Sequence, residues 1–375
     1  MPQHIRIVLV GGGTGGHFYP LIAVAEQLRD HQYANRIQLY YCGPDPYDKN
    51  LLTAHNINFI HIPAGKRRRY FSLLNIIDFF KIVIALPIAI YKLYRIYPDV
   101  VFSKGSYTSV PIVVAAWILM IPIVIHESDT RPGSANKLGS RFARYIGIGF
   151  PETSDYLSKT KTALVGIPTR KEFFAPVKNP HQILSIPNEK QILFVTGGSQ
   201  GSQRINELIL ESLDELLPYY TILHQTGSAN EALVKRTAAE LISDKQLLQR
   251  YYVVGSLNST QMQAAHSVAA LVISRAGASS IHEIALHGTP SIIIPIPTAI
   301  SHDQRSNAYA YARTNAAAVL EQDNLTDGIF TSEVTRIMSN PDTYKQMSEA
   351  AVAFAIPNAA AIIGTTLLEI SADHV

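Results

Sequence analysis

A histidine set directly after a glycine loop is the first place in this chain where residue types and spacing suggest chemistry. Gly11, Gly13 and Gly16 in VLVGGGTGGHFYP (residues 8–20) spell G-x-G-x-x-G, and His17 follows at once. Glycines after a strand let the backbone approach a phosphate. The helix that follows offers free N–H groups and the positive end of its dipole. An imidazole in the first helical turn titrates near neutrality and suits proton transfer. Two readings of His17 stand: a general base, or an imidazole hydrogen-bonded to nearby backbone. A nicotinamide reading also needs an acid at the end of the second strand to hold a ribose. Here that strand reads IQLYYCG, and Asp45 comes only after Gly43 and Pro44. The loop is therefore a poor dinucleotide fingerprint.

A second glycine turn, LFVTGGSQGS (193–202), echoes the first. Further on, ISRAGASSIHE (273–283) runs from a strand through Gly277 into a helix, with Glu283 two turns in. A carboxylate there could accept both hydroxyls of a ribose, or be a solvated helix residue. In PIPTAISHDQRSNA (295–308), Asp303 or Gln304 could bond sugar hydroxyls, or Gln304 could simply start a helix. These groups follow consecutive strands, which puts them at the carboxyl side of one sheet. No D-x-D motif occurs, so a metal-free diphosphate site is expected.

The elements that must position these groups are short, continuous Val/Ile/Leu runs alternating with helical patterns. Strands are predicted at 5–10, 37–42, 59–62, 100–102, 121–126 and 145–149, then at 191–196, 221–225, 251–254, 270–274, 291–295 and 317–320. Such unalternating runs are those of parallel sheets covered on both faces. The repeat of strand, glycine turn and helix implies two Rossmann-like α/β domains, joined through the proline-rich VGIPTRKEFFAPVKNP (165–180). The apolar segment 359–370 predicts a final helix.

Bulk properties agree. The chain has 375 residues, 47% hydrophobic and 16% charged, with a net charge of +3. That length suits two domains, and the composition excludes a disordered chain. The small charge gives no case for nucleic acid, and the single cysteine, Cys42, excludes an internal disulfide and fits a reducing compartment. MPQHIRIVLVGGG reads as a first strand rather than a signal peptide. SVPIVVAAWILMIPIVI (109–125), divided by Pro111 and Pro122, reads as a buried helix and then a strand rather than a membrane span. Residues 66–95 open with four cations, from Lys66 to Arg69, and continue with an apolar helical stripe as far as Arg95. This pairing suits docking on an anionic membrane surface; the other reading is a solvated charge run before a core helix.

Taken together, GGGTGGHFYPLIAVAEQL, GSYTSVP, HESDTRPGSANKL, GIPTR, VTGGSQGSQRINE, HQTG and SRAGASSIHEIALHGTPSIIIPIP resemble, in order and spacing, the MurG family. Its members transfer N-acetylglucosamine from UDP-N-acetylglucosamine to undecaprenyl-pyrophosphoryl-N-acetylmuramoyl-pentapeptide, with inversion. The resemblance implies a GT-B architecture: two doubly wound Rossmann-like domains facing a cleft. Residues 1–168 would bind the acceptor and the membrane, with a helix over 358–375 crossing back to them. Residues 169–357 would bind the UDP-sugar. By resemblance, Glu283 holds the ribose, and Arg170, Ser199 and Gln200 the diphosphate. Gln304 and the backbone of Ala276, Gly277 and Ala278 hold the sugar. Thr14, Gly15, Gly16, Tyr107, Glu127 and Asn136 take the acceptor, and His17 is the base. No metal or cofactor is implied. The implied place is the cytoplasmic face of the cell membrane, beside cell-wall synthesis proteins. Many relatives read Gly-Gly-Tyr where this chain has Gly105-Ser106-Tyr107, and His-Glu-Gln-Asn where it has His126-Glu127-Ser128-Asp129. Alternatives are a GT-B enzyme acting on another lipid such as diacylglycerol, a nicotinamide-dependent oxidoreductase, or a silent module binding a lipid-linked sugar.

Overall fold

The computed structural model describes residues 4–65, 74–297 and 302–373. The chain forms two compact units, one of residues 1–171 and 356–375, the other of residues 172–355. The first unit therefore extends to Lys171 rather than 168, and the chain rejoins it at Ile356 rather than 358. Local bonds explain both limits. The Lys171 N–H donates to Glu26 Oε2 at 3.0 Å. Gly166, at φ +82, lies so close to Ile356 that a Cβ there would stand 2.5 Å from the isoleucine Cβ.

The first unit is built on seven parallel strands: β1 (Ile5–Val10), β2 (Ile37–Gly43), β3 (Ile57–His61), β4 (Val100–Ser103), β5 (Ile123–Glu127), β6 (Tyr145–Ile148) and β7 (Thr162–Leu164), in the order β3-β2-β1-β4-β5-β6-β7. The second has six: β8 (Ile192–Thr196), β9 (Thr221–Gln225), β10 (Tyr251–Val254), β11 (Ala269–Ser274), β12 (Ser291–Ile293) and β13 (Ala317–Val319), in the order β10-β9-β8-β11-β12-β13. The order reverses beside β1 and again beside β8, so the chain leaves each of these strands at a switch point where ligands bind in open α/β sheets. The expected α/β class with two doubly wound sheets is thus observed. Only β7 was not foreseen. Its three residues, T-A-L, sit half-buried to exposed at the sheet edge and carry no apolar run.

Both faces of the first sheet are covered, which is why its strands do not alternate. On one face Ile7, Leu9 and Phe102 pack with Leu21 and Leu28 of the first helix (Gly15–Asp30) and with Ile363, Leu367 and Ile370 of the last helix (Ala359–Asp373). On the other, Val8, Val10 and Val101 pack with Leu93, Ile112 and Ala115. Each such buried aliphatic side chain contributes about 1.5–3 kcal/mol relative to exposure. Among the described residues one stretch, Pro341–Asp373, is long and apolar enough to cross a membrane by length and composition alone. It breaks at Pro357 into two helices, and the apolar face of the second lies in the core just described. The segment 109–125 forms the helix Val110–Ile118 and then β5.

Candidate active site

In the first unit the loops after β1, β4 and β5 gather at the carboxyl edge of the sheet. The glycine loop is shaped by close approach. A Cβ on Gly11 would stand 2.9 Å from the Lys104 Cβ, and one on Gly12 would stand 2.9 Å from the Tyr41 hydroxyl. Gly13 holds φ +91. The Tyr41 hydroxyl donates to the Gly11 carbonyl at 2.7 Å. The end of β2 thus braces the loop with a phenol, where a dinucleotide site would carry its acid. Thr14 begins the helix with an exposed side chain, and Gly15 and Gly16 form its first turn.

His17 is half-buried in that turn. Its Nδ1 lies 3.0 Å from the Lys104 carbonyl. A carbonyl only accepts, so Nδ1 carries the proton and Nε2 keeps the lone pair. Burial and then the Lys104 charge hold this imidazole below the usual histidine range, against the pull of the carbonyl bond and Asp129. It is therefore neutral, and able to accept a proton, at neutral pH.

Lys104 is the buried charged residue at this edge that the motifs did not single out. It follows β4 directly and is 1% exposed. Its ammonium donates to His126 Nδ1 at 2.6 Å and to Ser128 Oγ at 2.5 Å. Burial lowers it to about 8, with Glu127 and Asp129 opposing that fall. The one available signal was a lysine placed straight after the apolar run VVFS.

Glu127 and Asn136 come together, as the resemblance implied for one site, but they bond to each other. Asn136 Nδ2 donates to Glu127 Oε2 at 2.9 Å, and the same carboxyl accepts the N–H groups of Gly133 at 3.0 Å and Asp129 at 3.1 Å. Both side chains are buried. Burial first, then Asp129, raises the Glu127 carboxyl. This pair shapes the loop after β5. Tyr107 lies half-buried after Gly105 and Ser106, both at positive φ, and its ring edge is 3.6 Å from a Cβ built on Gly13.

In the second unit the carboxyl edges of β8, β11 and β12 carry the expected donor residues. Gly198 and Gly201 take φ +89 and +75, and Ser199 and Gln200 between them are exposed. Ser202 caps the helix Gln203–Glu211 that follows. Ala276 is buried, and its carbonyl accepts from Asn307 Nδ2 at 3.2 Å. Gly277 begins the helix Ala278–Leu286 and has no side chain to cap it. Glu283 is 25% exposed, with its Oε2 3.9 Å from the Nε2 of buried His266. Gln304 is half-buried in the helix His302–Ala312, and its Oε1 has no hydrogen-bond partner among the described residues. The side chain of Asp303 and the tetrad from Lys66 to Arg69 lie outside the described residues.

Arg170 falls in the first unit, not with the residues expected to share its ligand. Its guanidinium stacks 4.4 Å from the Tyr19 ring centroid, a cation–π contact.

Residues 7–148 match the Glycosyltransferase family 28 N-terminal domain, and residues 192–362 match the Glycosyltransferase family 28 C-terminal domain. The UDP-N-acetylglucosamine–N-acetylmuramyl-(pentapeptide) pyrophosphoryl-undecaprenol N-acetylglucosamine transferase of Clostridium tetani is 33% identical over 94% of this chain and 96% of its own. The Bacillus cereus protein of that name numbered transferase 2 is 33% identical over 91% of this chain and 93% of its own. The crystal structure of Acinetobacter baumannii MurG superposes with TM-score 0.77 at 26% identity, covering 97% of this chain and 99% of that one. A UDP-GlcNAc 2-epimerase from Neisseria meningitidis, bound to UDP-GlcNAc, shares the fold at TM-score 0.71 and 15% identity, over 97% of this chain and all of its own. With a likeness that runs the length of both chains and through both glycosyltransferase domains, this protein belongs to the MurG family of glycosyltransferases.

Proposed function

We propose that this chain transfers N-acetylglucosamine from UDP-N-acetylglucosamine to an undecaprenyl-pyrophosphoryl-N-acetylmuramoyl-pentapeptide acceptor, with inversion. The observation that carries the reading is the His17 imidazole, oriented by the Lys104 carbonyl so that Nε2 is the basic nitrogen. It stands at the sheet edge of a chain that matches named transferases over its length.

In the reaction, Nε2 takes the proton of the acceptor hydroxyl as that oxygen attacks the anomeric carbon. The bond from that carbon to the UDP oxygen breaks on the opposite face, through an oxocarbenium-like state. Negative charge grows on the leaving diphosphate. Ser199, Gln200 and the helix N-terminus after Gly201 offer hydroxyl, amide and backbone donors to it. Arg170 is our assignment for the balancing cation, and Glu283 for the ribose hydroxyls. Gln304 and the backbone at Ala276, Gly277 and Ala278 are assigned to the sugar. Thr14, Gly15, Gly16 and Tyr107 are assigned to the acceptor, with Glu127 and Asn136 holding the adjoining loop.

Because the acceptor is a lipid, we also assign a membrane-facing surface to the helices Leu74–Ile96 and Val110–Ile118 and place the enzyme peripherally on the cytoplasmic face. Support comes from side chains left in solvent: Tyr94 at 67%, Trp117 at 53% and Met120 at 84% exposed, with Tyr91 and Ile118 beside them. Lys92 and Arg95 lie on the same helix as Tyr91 and Tyr94.

The test is UDP release from UDP-N-acetylglucosamine with a soluble analogue of the lipid acceptor. His17→Ala is expected to lower acceptor-dependent release about 10²–10⁴-fold with donor binding intact. Wild-type turnover left untouched by the substitution would move the base elsewhere.

A further inference from the structure

Lys104 belongs to two bonded systems at once. Its carbonyl accepts from His17. Its ammonium is locked between His126 and Ser128. The opposite nitrogen of His126, Nε2, lies 2.7 Å from the Gly166 carbonyl. That carbonyl can only accept, so Nε2 bears the proton and Nδ1 is left to accept from the ammonium. The tautomer of His126 is thereby set, and a single bonded chain runs from His17 through β4 and β5 to the segment that leads to Arg170. A buried ammonium costs several kcal/mol in desolvation unless it is paired. Its direct bonds go to two neutral groups, with the carboxyls of Glu127 and Asp129 acting on its charge, and this is more than packing asks; a methionine would fill the same volume.

We infer that Lys104 is the positioning residue of the base: its carbonyl orients the His17 imidazole, and its locked ammonium keeps a fixed positive charge beside it. The inference rests on the assignment of His17 as the base. Its consequence is electrostatic. The acceptor brings negative charge, which would favour a protonated imidazole and silence the base; a fixed cation behind His17 opposes that. Other groups also face this imidazole. Asp129, after β5, pulls the opposite way, and buried Glu127 adjoins it. Arg170 stacks on Tyr19 two residues along the helix. The phenols of Tyr41 and Tyr107 line the glycine loop.

The experiment compares wild type with Lys104→Met and Lys104→Gln. Both remove the charge. Glutamine keeps an N–H for His126, so it guards against a misfolded methionine variant. Two quantities are read: the acidic limb of the kcat/KM profile, and the titration of His17 by NMR in the full chain, assigned with His17→Ala. Loss of the cation is expected to move both upward by on the order of one pH unit, with affinity for UDP-N-acetylglucosamine unchanged. A folded variant whose His17 titrates as in wild type overturns the inference. The NMR titration needs no turnover. Should His17→Ala remain fully active, the base assignment falls, while the titration still reports on Lys104 and His17.

Discussion

Gly201 and Gly227 meet back to back beyond the ends of β8 and β9: a Cβ on Gly201 would run into the Thr226 carbonyl, and one on Gly227 into the Gln200 carbonyl. Both hold positive φ, +75 and +85. Gly201→Ala must therefore move backbone, not merely a side chain. It is expected to cost more than ~2 kcal/mol and to weaken UDP-sugar binding. Gly198 is the control. It too has positive φ, +89, but open space around it. Gly198→Ala is expected to cost only ~1 kcal/mol, the left-handed penalty alone. Thermal melts of the two variants separate the cases, and equal losses would contradict the packing described.

Ser106 sits at φ 77, ψ 157, a region that glycine alone enters without strain. Such a residue costs on the order of 1–3 kcal/mol. Glycine would relieve this but loses more entropy on folding, about 0.5–1 kcal/mol. Ser106→Gly is thus expected to stabilise the first unit by about 1 kcal/mol, read as a higher urea midpoint at unchanged m. A lower midpoint would mean that the serine side chain makes a compensating contact.

Among the described residues the second unit carries three buried neutral histidines. Burial pulls His224 and His266 down to about 3, and His282 to about 4. An unfolded histidine titrates near 6.5. Above that value neither state binds the proton and no stability is lost. As pH falls from about 6.5 towards 4, the unfolded chain gains protons that the folded unit refuses. Stability then drops by up to ~1.4 kcal/mol per pH unit for each histidine. Hydrogen-exchange protection in residues 191–296, taken relative to the intrinsic rate at each pH, is expected to fall between pH 6.5 and 5, before most carboxylates titrate. His224→Phe would remove one of the three contributions. Protection independent of pH over this window would contradict the buried neutral assignment.

The contrast between strands and polar groups shows what could be read from sequence. Val8, Val101 and Phe194 lie in continuous apolar runs because both sheet faces are covered, so the parallel strands were legible without any template. The turns were legible for a related reason: Gly13, Gly198 and Gly201 mark places where φ is positive. The three-residue edge strand Thr162–Leu164 was not, because pairing rather than composition makes it a strand. Nor was the Lys104 network. His126 and Ser128 lie 22 and 24 positions from Lys104, and Gly166 lies 40 beyond His126, and only the fold brings them together. Glu127 and Asn136 were legible as a pair in a motif, but not as partners of each other.

Glu283 tests the donor assignment. The His266 ring stands 3.9 Å away, beyond hydrogen-bond range, and burial keeps it neutral, so it gives the carboxylate no ion pair at neutral pH. A carboxylate that accepts two ribose hydroxyls contributes charge-assisted bonds worth roughly 1.5–3 kcal/mol. Glu283→Gln is expected to weaken UDP-N-acetylglucosamine binding about 10–100-fold by calorimetry. UDP should lose as much as the UDP-sugar, since the ribose is common to both. A loss confined to the UDP-sugar would move Glu283 from the ribose to the hexose.

The exposed apolar side chains on the helices 74–96 and 110–118, with that of Met120 just after the second, test the membrane assignment. Tyr91, Tyr94, Trp117, Ile118 and Met120 are each at least 47% exposed, and scattered single residues of this kind would need no explanation. Here the two helices share one buried seam through Leu93, Ile112 and Ala115, so their outward residues belong to one face of the unit. Aromatic rings with nearby cations suit the headgroup region, where apolar insertion and attraction to anionic lipid add. Trp117→Glu with Met120→Glu puts two carboxylates on that face. Vesicle co-sedimentation is expected to fall on anionic and neutral membranes alike, because apolar insertion is lost on both. Lys92→Glu with Arg95→Glu should act chiefly on anionic vesicles and make residual binding less sensitive to salt. Turnover of a soluble acceptor analogue should survive both double substitutions. Undiminished binding of the Trp117/Met120 variant to both kinds of vesicle would remove this face from membrane docking.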